Sequence, residues 1–316
     1  MPAARAGDSW RRFRRLLFGL APDEASFARR GFRGVGEAAQ AKLEQIGAIF
    51  LHGYHATLDD PSPSALVPRL EQVESEIRGF AYEGAAMSLA LLDCLTPWDG
   101  SRIERFLKGG AGHHIYMVYV GMGWAWARLR RRSEPLLTRF DPLLCWLAVD
   151  GFGFHEGFFH GPRFIERQKP PHLAGYAARA FDQGLGRSLW FVEGAGVERI
   201  IARLRQFPTA RQSDLWSGVG LACAYAGGVD RASLERLKDA AGPYLPQVAQ
   251  GVVFAAQARK RAGIPAPHTA LACEVLCRRR APEAASLADE AERQLDAAEG
   301  ELPRYESWRH RIQQSV

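Results

Sequence analysis

Strand signals are almost missing from this sequence. Apolar and polar residues rarely alternate with a period of two, and no Asn-Gly or Asp-Gly turn joins two β-branched runs. Asp99-Gly100 and Asp150-Gly151 fall in loop or helix-like contexts instead. Cysteine is scarce: Cys94, Cys145, Cys223, Cys273 and Cys277 make an odd set with no CxxC pair. That excludes a disulfide framework and a paired-cysteine structural zinc site, and leaves reduced core thiols. No Gly-x-Ser-x-Gly elbow is present, so nucleophilic hydrolysis has no support. The longest apolar run, residues 115–127, falls well short of the roughly 20 residues of a membrane span. The apolar part of the N-terminal segment, residues 16–20, is too short for a signal peptide. No transmembrane segment and a cytoplasmic location are expected. A net charge of +6 carries no basic run interleaved with aromatics in the manner of a nucleic-acid platform; the densest, Trp10 to Phe18, reads as a short amphipathic arm, so no nucleic-acid partner is expected.

What remains is an ordinary globular composition, 47% hydrophobic and 24% charged, long enough to bury a large core. Helical periodicity is frequent, as in Arg199-Ile200-Ile201-Ala202-Arg203-Leu204. Thr57 to Ser64, rich in Asp and Pro, reads as a loop, and 283–299 as a polar, peripheral helix. Segments also echo one another. Gly151-Phe152-Gly153-Phe154-His155-Glu156-Gly157-Phe158 resembles Gly47-Ala48-Ile49-Phe50-Leu51-His52-Gly53-Tyr54 and Gly251-Val252-Val253-Phe254, at a spacing near one hundred residues. Shorter openings recur at Gly34-Val35-Gly36, Gly121-Met122-Gly123 and Gly218-Val219-Gly220. None of these follows a strand signal or completes G-x-G-x-x-G, so a dinucleotide fingerprint is not supported. Glycine within a helix costs about 1 kcal/mol against alanine. Its persistence points to helix axes in close approach, or to a bulky group packed over bare backbone. The expected fold is all-α: one domain of pseudo-repeated helical units over residues 27–280. A basic amphipathic arm (1–26) precedes it, and a polar C-terminal helix and tail (281–316) follow it.

The sharpest chemical cluster runs from Asp150 to His160. It approaches H-E-x-x-H, but His155 and His160 are five apart, about 140° around a helix, and would not clamp one ion from one face. Glu156 and His160 are i,i+4 and share a face, as in metal-carboxylate bundles that draw further ligands from other helices. His52, His113 and His160 are therefore the candidate ligands for a divalent or iron ion. Glu156, His155, Glu83 and Glu193 are the candidates for proton transfer, since buried carboxyls in apolar flanks have raised pKa values. Glu83 and Glu193 sit in echoing segments, Phe80-Ala81-Tyr82-Glu83-Gly84-Ala85 and Trp190-Phe191-Val192-Glu193-Gly194-Ala195. A pseudo-twofold packing of the units would bring Glu156 to His52 and Glu83 to Glu193. A structural alternative pairs Arg78 with Glu83 and Arg187 with Glu193. The aromatic residues of these segments, Tyr116, Trp124, Phe154 and Phe158 among them, form either a core or the lining of a tunnel for an elongated ligand.

Several of these strings together resemble a family: Gly79-Phe80-Ala81-Tyr82-Glu83-Gly84-Ala85-Ala86-Met87, Asp150-Gly151-Phe152-Gly153-Phe154-His155-Glu156-Gly157, Phe181-Asp182-Gln183-Gly184-Leu185-Gly186-Arg187-Ser188-Leu189-Trp190-Phe191 and Leu215-Trp216-Ser217-Gly218-Val219-Gly220-Leu221-Ala222. They look like the UnbL-type family of uncharacterised proteins encoded beside enediyne polyketide synthases, over about residues 27–261. The resemblance implies an accessory protein or enzyme of antibiotic biosynthesis that binds a long polyene intermediate and helps convert it to the enediyne core. The partners it implies are the polyketide intermediate and the polyketide synthase or other biosynthetic proteins. The rival expectation is a non-catalytic carrier or scaffold that shields the intermediate and contacts partner proteins.

Overall fold

The computed structural model describes residues 11–34, 36–131, 137–295 and 302–316. Trp10 of the basic arm, Val35 of the first glycine opening and residues 296–301 of the tail lie outside them. Every regular element described is helical. Seven long helices carry the architecture: α1 (Glu37–Asp59), α2 (Ser75–Leu95), α3 (Ile115–Arg128), α4 (Trp146–Phe159), α5 (Tyr176–Val192), α6 (Thr209–Ala226) and α7 (Leu245–Ala262). Two more, α8 (Ala281–Arg293) and α9 (Arg304–Ser315), complete it. The loop expected at 57–64 is shorter than its Pro and Asp content implied: α1 runs to Asp59 and helix resumes at Pro63. Proline is tolerated there because the first helical turn has no intrahelical use for its missing N–H. α7 ends where Gly263 adopts φ 68°, a left-handed cap that bonds back to Arg259 and Lys260.

Each long helix packs chiefly on the one before and the one after it, from α1 through to α8. Glycine makes this succession possible. Gly121, Gly151, Gly184 and Gly218 press on the preceding helix, while Gly123, Gly153, Gly186 and Gly220 press on the next. A Cβ at any of these eight positions would overlap a main-chain carbonyl of the neighbouring helix. Two glycines two residues apart are about 200° apart around a helix, so one G-x-G serves both neighbours. Close approach of axes therefore accounts for the motif, with no ligand needed. Gly47 differs from Gly151 and Gly251. It meets Ala25 of the N-terminal segment, whereas the other two meet the preceding long helix.

The succession curls back on itself. Arg259 of α7 donates to the Glu76 carbonyl of α2 at 2.6 Å and the Tyr225 carbonyl of α6 at 2.7 Å. Phe80 of α2 meets the Tyr225 ring at 5.2 Å. The described terminal segments, residues 11–18 and α9, both join this body. Residues 11–18 are helical, and Arg14 caps α1 by donating to the carbonyls of Leu58 (2.8 Å) and Asp59 (3.0 Å). Arg15 grips the Asp59 carboxylate at 2.8 Å. At the other end the polar composition misleads. Tyr305, Glu306, Trp308, Arg309 and Ile312 of α9 are fully buried. Arg309 bonds Asp214 at 2.7 Å and Glu306 at 3.0 Å, and Arg179 reaches both carboxylates. Such a network satisfies charges that would otherwise be costly to desolvate. α9 is thus a plug in the core, and the four buried alanines of α8 line its seat on α7.

Candidate functional site

The inner ends of α1 to α5 and the N-terminal segment enclose a small apolar chamber of about 50 Å³. Phe50, Phe80, Trp124, Phe154, Phe158 and Phe191 line it from the helices, and Leu20, Phe27 and Phe32 roof it from the segment. Trp124 is its hub, with Phe50 at 4.8 Å, Phe154 at 5.0 Å and Phe158 at 5.8 Å between ring centroids. These edge-on and tilted contacts are ordinary core geometry. The aromatic residues are therefore a packed core first. The space left has the volume of a few waters, far below the several hundred Å³ of a small-molecule pocket.

One group in that wall is out of keeping with a core. Glu83 is 1% exposed, and both carboxyl oxygens lack a hydrogen-bond partner. Burial pushes its pKa up to about 7, Asp150 adds to this, and Arg187 and the Trp124 indole oppose it. The Trp124 N–H stands near the carboxyl but short of bonding geometry, and it too is unpartnered. Arg78 does not pair with Glu83, because its guanidinium reaches Glu71 at 2.7 Å on the outer side of α2. Arg187 does not pair with Glu193 either. It forms a buried ion pair with Asp150 of α4 and lies 4.8 Å over the Phe154 ring. Asp150 was legible as the first residue of the sharpest motif, but nothing local marked it as a partner of α5.

A second cavity, an open cleft of about 1490 Å³, lies at the C-terminal ends of α3 and α4. His155, Glu156 and His160 all line it, and Phe159 lines both the cleft and the chamber. His155 Nδ1 lies 3.1 Å from Glu156 Oε1. A carboxylate only accepts, so this bond places the imidazole proton on Nδ1 and leaves Nε2 as a base. Burial lowers the His155 pKa, with Glu156 pulling the other way, so the ring is neutral at pH 7. His160 does not share the helical wheel of His155, because α4 stops at Phe159. His160 turns away at φ −126°, ψ 35°, and its ring comes to 6.1 Å from that of His155.

The other expected residues are elsewhere. Glu193 is buried in two ion pairs, with Arg199 at 3.2 Å and Arg203 at 3.3 Å. His52 lies exposed on α1, and His113 lies exposed on the turn before α3. None of these three lines the chamber or the cleft, and the convergences of Glu156 with His52 and of Glu83 with Glu193 do not form. Among the described residues no three His, Cys, Asp or Glu side chains are grouped to hold a metal ion. His52, His113 and His160 therefore do not fit the ion expected of them. Glu193→Gln is expected to cost about 2 kcal/mol of stability through its lost charged hydrogen bonds. Ligand binding should be unchanged, as paired urea melts and titrations would report.

No helix among the described residues is long and apolar enough to cross a membrane. Comparison with known proteins matches residues 9–316 to the family described as "Protein of unknown function (DUF1702)", and the chain belongs to that family. No curated protein and no solved structure matches it.

Proposed function

We propose that this member of the DUF1702 family binds a long apolar polyene intermediate and takes part in its conversion, as an accessory protein or enzyme of enediyne-type polyketide biosynthesis. The observation that carries the reading is Glu83, a buried and unpartnered carboxyl set in an aromatic wall. An unsatisfied buried group is costly to keep, and such groups concentrate where a ligand or a proton uses them. The polyene lies between the aromatic rings and shifts a proton with Glu83, which holds and releases one near neutral pH. His155, oriented by Glu156, is a second base at the cleft side of Phe159. The biosynthetic setting rests on the family resemblance of the sequence alone. No step is routed through a metal ion.

The chamber's small volume gives the reading a definite consequence. A polyene enters only when the wall moves, and Phe159 is the half-exposed ring common to both cavities. Phe159→Ala is expected to speed uptake of diphenylhexatriene, a neutral fluorescent polyene, by about tenfold in stopped flow, if removing the ring lowers the barrier by about 1.4 kcal/mol. The bound dye should quench Trp124 by energy transfer, and Trp124→Phe should remove that part of the signal. A protein that leaves the dye dark at every concentration would remove this function. Binding that persists in parent and Glu83→Gln alike, with no product formed from the polyene by either, would leave the carrier role instead.

A further inference from the structure

The cleft beside the chamber has a charge pattern that neither the core nor the proton-transfer groups require. Arg128, Arg130 and Arg131 come from the end of α3, and Arg163 and Arg167 from the π-helical turn Pro162–Glu166 and the residue after it. All five are exposed, and none pairs with a carboxylate among the described residues. Elsewhere the fold spends its arginines on acids, as with Arg15 and Asp59, Arg102 and Asp93, and Arg211 and Asp182. Here Arg163 instead meets another potential cation, with its Nη2 3.1 Å from His172 Nε2, and the Arg131 guanidinium donates to the Cys94 carbonyl. The single described acid on the cleft, Glu156, is engaged by His155.

Arg130 adds an independent sign. It occupies the left-handed cap position of α3, φ 50°, with Arg131 N–H bonded to the Trp126 carbonyl at 2.9 Å. Glycine is the usual residue there, and a side chain costs about 1 kcal/mol. Cations at a helix C-terminus do gain from the dipole, which accounts for charge on the α3 end. It does not account for Arg163 and Arg167, which belong to a different segment. Guanidinium groups gathered over a cleft focus a positive field, and their planar forks match carboxylate and phosphate oxygens. The cleft floor beneath them is apolar, with Phe152, Phe164 and Phe181 beside Phe159.

We infer that the arginine-lined cleft seats an anionic head group, a carboxylate or a phosphate, of an amphipathic ligand whose apolar chain passes Phe159 toward Glu83. The inference rests on the chamber reading for the chain and on the cleft for the head. It assigns the ligand class as a long apolar chain with one acidic end.

The test uses three probes with the same conjugated eighteen-carbon tetraene chain: the acid, the phosphate monoester and the alcohol. Each is titrated by fluorescence at low salt against the full-length protein and an Arg128→Gln/Arg163→Gln variant. Two exposed charge contacts correspond to about a tenfold gain in affinity for an anion over the alcohol. The variant should lose that gain and keep the alcohol's affinity, and its thermal melt should match the parent's, since the exchanged groups are exposed. Salt should erode the gain, as screening requires. A larger gain for the phosphate ester identifies phosphate as the head, and a larger gain for the acid identifies carboxylate. Equal binding of all three probes, or a preference that survives in the variant, overturns the anion site and leaves the chamber standing. Failure of all three to bind overturns both.

Discussion

Gly184→Ala is expected to destabilise the fold by about 3 kcal/mol or more, enough to prevent folding at 37 °C if the parent is of ordinary stability. A Cβ at Gly184 overlaps the Asp150 carbonyl oxygen and lies 2.8 Å from the Phe154 amide nitrogen of α4. Both are main-chain atoms, so no side-chain rotamer change makes room. The helices must separate, and α4 carries Asp150, Phe154 and His155 with it. Native interiors are too densely packed to absorb such a shift locally. Gly112→Ala is the matched control, because a Cβ there meets only the Leu107 carbonyl, at 3.4 Å. It should change stability by no more than about 0.5 kcal/mol. Urea melts of the two variants separate close approach at Gly184 from the loss of glycine's freedom in the unfolded chain, which would stabilise both. A Gly184→Ala protein as stable as the parent would contradict the packing described for α4 and α5.

Glu83→Gln is expected to stabilise the protein above pH 7 and to leave it nearly unchanged at pH 4. The Glu83 pKa rises from an ordinary 4.5 to about 7 on folding. The folded state therefore binds the proton more tightly than the unfolded chain. The stabilising contribution of the protonated form is complete below the unfolded pKa. It is lost as pH climbs through the interval up to about 7, and above that the buried carboxylate is a standing cost. A displacement of this size corresponds to about 3 kcal/mol between pH 4 and pH 8. Glutamine mimics the protonated carboxyl in shape and does not titrate, so the variant's melts should lack this pH dependence. The difference between parent and variant, followed by urea denaturation at half-unit steps, should open between pH 4.5 and 7. A difference independent of pH would mean that Glu83 is ionised and satisfied in the folded protein.

The helical class was legible because the period-2 pattern is missing and the 3.6-residue period recurs, signals that do not depend on partners. The glycine openings were also readable as close helix approach, since no strand preceded Gly121-x-Gly123 or Gly218-x-Gly220. Pairing of charges was not legible. Arg78 and Glu83 are neighbours in sequence, but five residues place them about 140° apart on α2. One faces Glu71 outside and the other the chamber inside. Likewise Arg187 finds Asp150 across the α4–α5 seam, at a sequence separation of 37. The position of His160 was not legible because the wheel assumes that the helix continues, whereas α4 ends one residue earlier. The arginine cleft left no local trace, since its charges come from two separated segments of an arginine-rich chain. The tail misled for a related reason: Arg309 and Glu306 look like surface residues until Asp214 and Arg179 are brought to them.

The most direct test follows the Glu83 carboxyl carbon by NMR in protein labelled at the glutamate side-chain carbonyl, with Glu83→Gln identifying the resonance. Without ligand the signal should titrate with a midpoint near pH 7. Saturation with the conjugated alcohol should displace this resonance and move its midpoint higher, because an apolar chain beside the carboxyl further disfavours its charged form. A resonance that ignores the polyene at saturation, or that titrates near pH 4 like an exposed glutamate, would contradict a ligand chamber built around this residue.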